Sequence, residues 1–152
     1  MNTAQQIQKS PAAAAGYEIE DFDNDTPATL KVAFVKDDEG EAVSGVIILS
    51  KDSPEFQAEN EAIRVEGIQR SAKRQKAIDT KTEAGALFVA QTIDSNERRL
   101  ALAVTVGWFG FNSEGAPATF DKKVVERMYT KKPTWLDEVT KALDANAGFT
   151  KV

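Results

Sequence analysis

Two β-type runs joined by a short polar turn restrict the fold of this chain more than any other feature. The runs LKVAFVK and AVSGVIILS are rich in β-branched and aromatic residues. The polar DDEGE stretch between them contains Gly40, which can adopt a positive φ. We therefore predict a β-hairpin over residues 30–50. Because two strands alone are marginally stable, this hairpin needs a third strand, a helix or another subunit against its apolar face.

Helical signals begin directly after the hairpin. Ser53 is a good N-cap and Pro54 suits the first helical position, so a helix is predicted over about 54–78. Its thin apolar stripe indicates a long helix that is half solvated. A second helix is predicted over about 82–106, ending at Gly107. Its expected buried side consists of Ala86, Leu87, Ala90, Ile93, Leu100, Ala101 and Val104.

Two shorter helices are predicted near the C-terminus, over about 120–130 and 134–146. Thr119 or Asp121 caps the first, and Gly148 is expected to end the second. Phe149 is then placed to dock back onto the core. These elements predict the α+β class, with a hairpin followed by a mainly helical part of about four helices in a single domain over 29–152.

Residues 1–28 are predicted to form a flexible acidic arm. Small and polar residues dominate the segment, and proline interrupts it at two positions. Its carboxylates are Glu18, Glu20, Asp21, Asp23 and Asp25, and Tyr17, Ile19 and Phe22 are scattered among them. One interpretation is a solvated tail, and the other is an acidic and aromatic segment that docks on a basic surface.

Composition removes most catalytic classes. The 152 residues include no Cys and no His, which excludes thiolate or imidazole ligands and the common hydrolytic triads. The acidic runs at 21–25 and 37–39 lack the spacing of a calcium loop, so neither a metal site nor a cofactor is predicted. We expect a protein that is not an enzyme.

Charge and hydropathy limit the partners in the same way. A formal net charge of -5 argues against nucleic acid as the main partner. The sequence has neither a signal peptide pattern nor an apolar run of membrane-spanning length, so we expect a soluble protein with no membrane partner.

Two groups of side chains are candidates for binding a protein partner. The stretch VGWFGFNSEG places Trp108, Phe109 and Phe111 within four residues, and we predict that they emerge in a turn after the second helix and plug the base of the helical pair. The second group is a basic cluster that includes Arg70, Lys73 and Arg74. The simpler interpretation is core packing for the aromatics and a favourable helix dipole interaction for the cations.

The last third of the sequence resembles the small tail assembly chaperones of tailed bacteriophages. That family shows a helix leading into a Gly-Trp-x-Gly-Phe type turn, then a Gly-x-Pro loop, a helix ending in Tyr and a Trp-Leu helix. This chain departs from the pattern by carrying Lys131, Lys132 and Pro133 before the tryptophan. The matching positions are Gly107, Trp108, Gly110, Phe111, Gly115, Pro117, Tyr129, Trp135, Leu136, Val139 and Phe149.

The resemblance implies a non-catalytic protein that binds tape measure or tail tube proteins in the host cytoplasm before the tail polymerises. Trp108, Phe109, Phe111 and the edge of the hairpin are then the expected client surface. The alternative is a structural virion protein, such as a minor tail, connector or decoration component, anchored to neighbouring subunits by the arm through Tyr17 and Phe22. Homo-oligomerisation is compatible with either function.

Overall fold

The computed structural model describes Ile19 and residues 27–150. Tyr17, Phe22 and nearly all of the predicted arm lie outside these residues. The described part contains a three-stranded sheet and four helices, which confirms the α+β prediction. None of these four helices has both the length and the apolar character that crossing a bilayer requires.

The predicted hairpin is present as β1 (Thr29–Lys36) and β2 (Ala42–Leu49), which pair antiparallel. Asp37 organises the turn, because its carboxylate accepts hydrogen bonds from the backbone amides of Glu39 and Glu41, both at 2.9 Å. Gly40 has a φ of 82°. The acidic run at 37–39 therefore has a structural function at the turn.

The prediction that the second helix continues to residue 106 is wrong. Helix α2 (Glu83–Val104) ends two residues earlier, and the chain passes directly into strand β3 (Thr105–Phe109). Strand β3 pairs antiparallel with β2, placing Trp108 opposite Val46 and Gly107 opposite Ile47. Gly107 therefore lies within a strand, and β3 supplies the third strand that the hairpin requires.

Helices α1 (Pro54–Lys73) and α2 form an antiparallel pair. The Ser53 cap is confirmed, since its hydroxyl accepts a hydrogen bond from the amide of Phe56. Helix α1 ends at Lys73 rather than near 78, because the following residues form the connection to α2. In that connection the Thr82 hydroxyl donates to the carbonyl of Asp79 and accepts from the amide of Gly85.

Much of the apolar side predicted for α2 lies on the surface. Only Ala101 and Val104 of this helix are buried, whereas Leu87 and Ile93 are more than half exposed. Helix α1 likewise buries only Phe56. The far part of the helical pair therefore extends beyond the core, so the periodic pattern correctly predicted a helix but not its burial.

The C-terminal part covers the inner face of the sheet. A short hairpin follows β3 and consists of two strands of two residues each, β4 (Asn112–Ser113) and β5 (Ala116–Pro117). It leads to helices α3 (Lys122–Lys131) and α4 (Pro133–Ala145). Asp121 caps α3, as one of the two predicted alternatives. Helix α4 ends at Asn146 in the left-handed conformation, so Gly148 is not the stop. The buried core residues include Val46, Ile48, Val104, Val125, Tyr129, Val139 and Leu143.

Arg99 links the two long helices. Its guanidinium donates to the carboxylates of Glu59 and Glu66 on α1. Hydrogen bonds to these two carboxylates raise the pKa of Arg99, and the bond from Arg99 lowers the pKa of Glu66. Both partners stay charged at neutral pH, which favours the antiparallel arrangement of α1 and α2.

Arg99→Met is expected to lower the urea midpoint of unfolding, because the change leaves Glu59 and Glu66 without their shared cation. The loss should shrink as salt is added, since screening weakens the wild-type ion pairs. Arg64→Met is the matched control, because Arg64 pairs with Glu61 within α1 and both side chains are exposed. Equal shifts in the two variants would contradict a linking function for Arg99.

Candidate functional site: a basic groove along a free strand edge

Among the residues that the structure describes, strand β1 has no strand partner on its outer side, and we call this side its open edge. The sheet order is β1-β2-β3, so one side of β1 faces away from its partner. On that side Thr29 exchanges two hydrogen bonds with Thr150, both at 2.9 Å. Because alternate residues of an antiparallel strand direct their amide and carbonyl groups to the same side, Lys31 and Ala33 direct theirs to this edge. The edge can therefore accept an added strand.

A groove runs between the open edge of β1 and helix α4. We call it the edge groove. Its floor is formed by the strand from Leu30 to Phe34, and its far wall by α4. The Lys141 ammonium lies 3.9 Å from the Glu138 carboxylate in this groove. Its polar lining residues are Lys31, Lys36, Thr134, Glu138 and Lys141.

At Trp135 the edge groove meets an apolar cleft of about 390 Å³, which we call the aromatic cleft. Its walls are apolar side chains from the loop after β3 and from helices α3 and α4: Phe111, Val124, Met128 and Trp135. Arg127, Lys131 and Lys132 also line it, and all three are exposed. Pro133 starts α4 at this corner, so the break between the helices places Lys131 and Lys132 beside the opening.

Stacked rings connect the aromatic cleft to the core. Phe34 stacks on Trp135 with a centroid distance of 4.8 Å, and Phe111 lies 6.0 Å from Trp135. Trp108 contacts Phe111 edge to face at 5.6 Å, and its indole nitrogen donates to the carbonyl of Ala118 at 3.0 Å. The satisfied indole makes Trp108 a packing residue that supports Phe111, whereas Phe111 and Trp135 line the cleft.

The edge groove and the aromatic cleft together form a basic groove in a chain with a net charge of -5. Their lining includes a single carboxylate, Glu138. The Lys132 ammonium lies 5.8 Å from the centre of the Trp135 ring, within the range of a cation–π contact. Besides Lys31, whose ammonium lies against the Phe109 ring on the opposite face of the sheet, five cations line the groove: Lys36, Arg127, Lys131, Lys132 and Lys141. This arrangement favours an acidic segment that also carries apolar side chains.

The aromatic residues predicted as one group do not lie together in a turn. Trp108 and Phe109 belong to β3, and Phe111 follows Gly110, so the prediction that they plug the base of the helical pair is wrong. Trp108 and Phe111 lie between the sheet and the C-terminal helices. Phe109 lies on the opposite face of the sheet, where the Lys31 ammonium is 5.4 Å from its ring centre.

The predicted basic cluster lies elsewhere, at the end of α1 farthest from the sheet. The Arg74 guanidinium is 5.5 Å from the centre of the Phe88 ring on α2. Arg70 lines a shallow depression between α1 and α2 together with Glu66 and Phe88. Lys73 is exposed at the last turn of α1. These cations are therefore separate from the basic groove.

Sequence reasoning did not select Trp135, Lys131 or Lys132 as binding residues. A signal was nevertheless present, because Lys131 and Lys132 are the positions at which the chain departs from the family pattern. Their position beside an apolar cleft depends on the contact between α3 and the loop at Phe111, which no local pattern encodes.

Titratable groups with altered pKa values do not line the basic groove, although Glu66 and Arg99 line the shallow depression between α1 and α2. Among the described residues, the altered groups are the ion-paired Glu61, Arg64, Glu66 and Arg99, and the core tyrosine Tyr129. Within residues 27–150 no three acidic side chains are grouped as metal ligands would be.

Comparison with known proteins identified no relative: no family model, curated protein or solved structure matches this chain.

Proposed function

We propose that this chain is a tail assembly chaperone of a tailed bacteriophage that acts by binding and without catalysis. It holds an extended, acidic and apolar segment of a tape measure or tail tube protein in the basic groove until the tail polymerises. The observation that carries the proposal is the open edge of β1, which is flanked by cations and leads into the aromatic cleft.

The physical basis is strand addition. A client segment beside β1 gains backbone hydrogen bonds from Lys31 and Ala33, which supply affinity that does not depend on sequence. Its carboxylates meet the five groove cations, and its apolar side chains enter the cleft at Phe111 and Trp135. The bound segment is thereby kept from pairing with other subunits, as a chaperone for polymerising proteins requires.

The distribution of altered pKa values supports a binding function. Ion pairs account for four of the five altered groups, with Glu61 and Arg64 paired within α1 and Glu66 and Arg99 paired between α1 and α2, and core burial accounts for Tyr129. An acid–base catalyst needs a titratable group with a shifted pKa that faces a substrate cavity. The aromatic cleft instead combines apolar walls with cations that form no salt bridge to a carboxylate within residues 27–150.

Reversing two charges beside the cleft, Lys131→Glu with Lys132→Glu, is expected to weaken binding to purified tape measure or tail tube protein roughly tenfold. The loss comes from repulsion between the new carboxylates and the acidic client, and calorimetric titration at low salt measures it. The control is Lys73→Glu with Lys76→Glu, which changes the net charge equally at the far end of the helical pair. Equal weakening by both pairs would contradict a specific function for the groove.

Quantitative mass spectrometry of purified mature particles and infected-cell lysate tests the function as a whole. A chaperone is expected to be present in the lysate and absent from the particles. Stoichiometric amounts in the particles would overturn the proposal and would support the alternative, a structural virion component.

A further inference from the structure

We propose that residues 17–25 of this chain bind in its own basic groove and compete with the client. The inference rests on the proposed function in one respect, namely that the groove binds polypeptide. The groove then has a second occupant, which is a segment of the same chain. Client binding must therefore displace this segment.

The sequence of the segment complements the groove. Apolar and acidic residues alternate from Tyr17 to Glu20, the pattern of a strand with one apolar and one charged face. Phe22 adds a second aromatic residue. The five carboxylates at Glu18, Glu20, Asp21, Asp23 and Asp25 equal in number the cations that face the groove. Charge complementarity and aromatic side chains are what the groove selects in a client.

The segment is also within reach of the groove. Strand β1 begins at Thr29, at the end of the edge groove lined by Leu30 and Ala142. Trp135 lies beside Phe34, five residues or about 17 Å along the strand. Phe22 is seven residues from Thr29, so an extended chain allows it about 23 Å. It can therefore reach Trp135, and Tyr17 and Ile19 can extend into the aromatic cleft.

The far end of the helical pair is a poorer docking surface for the same segment. Arg74 already contacts the ring of Phe88 there. Arg70 lies sixteen residues after Pro54, or about 24 Å along α1 from its start. The basic groove offers an open strand edge and an apolar cleft in addition to its cations, so it provides more kinds of interaction to the segment.

One apolar side chain of the segment is accessible for docking. Ile19 is the one residue of the segment that the structure describes, and its side chain is 74% exposed. In the docked state the aromatic cleft covers this apolar side chain and removes it from water, which favours docking.

Cysteine cross-linking in the full chain tests the proposal, because the native sequence has no Cys and introduced thiols are unique. Asn24→Cys is combined with Thr134→Cys in the groove or with Lys76→Cys at the far end of the helical pair. Thr134 and Lys76 are both exposed. A short bismaleimide is added to the purified protein without any tail protein. We expect a monomeric, internally linked product for the groove pair, formed at least about fivefold faster than for the Lys76 pair.

A background carrying Asp21→Asn, Asp23→Asn and Asp25→Asn separates docking from chance collision of a tethered chain. Neutralisation is expected to slow the groove reaction about fivefold, because it removes three charges while keeping the tether unchanged. Equal rates with and without the carboxylates, faster reaction with Lys76→Cys, or a mainly dimeric product would each overturn the proposal. Glu138→Cys, which is exposed and also lines the edge groove, replaces Thr134→Cys if that variant does not fold, and it keeps all five groove cations.

The two proposals fail separately. If no cross-link forms but client binding still depends on Lys131 and Lys132, the competing segment is rejected and the chaperone function is retained. If the cross-link depends on the carboxylates but the protein is present stoichiometrically in particles, the docked segment is retained and the chaperone function is rejected.

Discussion

Replacing Tyr129 with alanine is expected to lower the free energy of unfolding by about 4 kcal/mol, the cost of deleting a large buried aromatic ring. Tyr129 is 1% exposed, and its ring contacts Phe34 edge to face at 6.4 Å. Its hydroxyl lies 2.7 Å from the hydroxyl oxygen of Thr105. Tyr129 thus joins α3 to the sheet and to the junction between α2 and β3. Urea denaturation of the purified protein measures the loss of stability.

Tyr129→Phe is the matched control, with an expected loss of only about 1 kcal/mol. The Thr105 hydroxyl donates its single proton to the carbonyl of Ala101, so the Tyr129 hydroxyl is the donor to Thr105. In the phenylalanine variant Thr105 keeps its bond to Ala101, and no buried donor is left without a partner. Similar losses in the alanine and phenylalanine variants would contradict the dominant contribution of the ring.

The hydroxyl of Tyr129 also predicts a pH dependence. Burial raises the pKa of Tyr129 to about 12. An unfolded tyrosine ionises near pH 10, so between about pH 10 and 12 the unfolded chain loses a proton that the folded protein retains. Stability is therefore expected to fall as pH rises through this window, and Tyr129→Phe should lack this part of the decrease.

Gly110→Ala is expected to destabilise the protein by about 3 kcal/mol. Gly110 has a φ of 72°, which disfavours any residue with a β-carbon. In addition, a β-carbon there would overlap the backbone carbonyl oxygen of Val43. A hydrogen bond holds the backbone of Gly110 close to β2, because the Ser44 hydroxyl donates to the carbonyl of Gly110 at 2.8 Å. Thermal and urea unfolding measure the loss.

Gly115→Ala separates the two causes. Gly115 has a similar φ of 79°, but a β-carbon there would meet no atom within 4 Å. We expect this variant to lose only about 1 kcal/mol, the cost of the backbone conformation alone. If both alanine variants lost the same amount, close approach of Gly110 to β2 would not be a source of stability.

Local chemistry explains which parts of the fold could be predicted. The hairpin turn and the caps at Ser53 and Asp121 are satisfied by residues within four positions, so their signals are readable in the sequence. Strand β3 was missed because its apolar residues continue the helical pattern of α2. Only pairing with β2, about sixty residues earlier, assigns Thr105–Phe109 to the sheet.

The same distinction applies to the candidate site. Phe111 was predicted because three aromatic residues close together are visible in the sequence. The contribution of Trp135 was not, since it depends on stacking against Phe34, which lies about a hundred residues away. The helical period of α2 predicted a buried side, yet Leu87 and Ile93 lie beyond the reach of the core. Periodicity specifies which face of a helix is apolar but not what covers it.

The charges along the open edge of β1 also bear on aggregation. Bare strand edges promote edge-to-edge pairing between identical molecules, and lysine is a common protection against it. Two copies pairing through β1 would bring their Lys36 and Lys141 side chains into one crowded, like-charged interface. An acidic strand beside β1 would instead place its carboxylates near these ammonium groups. The charges of the groove therefore oppose edge-to-edge pairing of this chain with itself and favour an acidic segment instead.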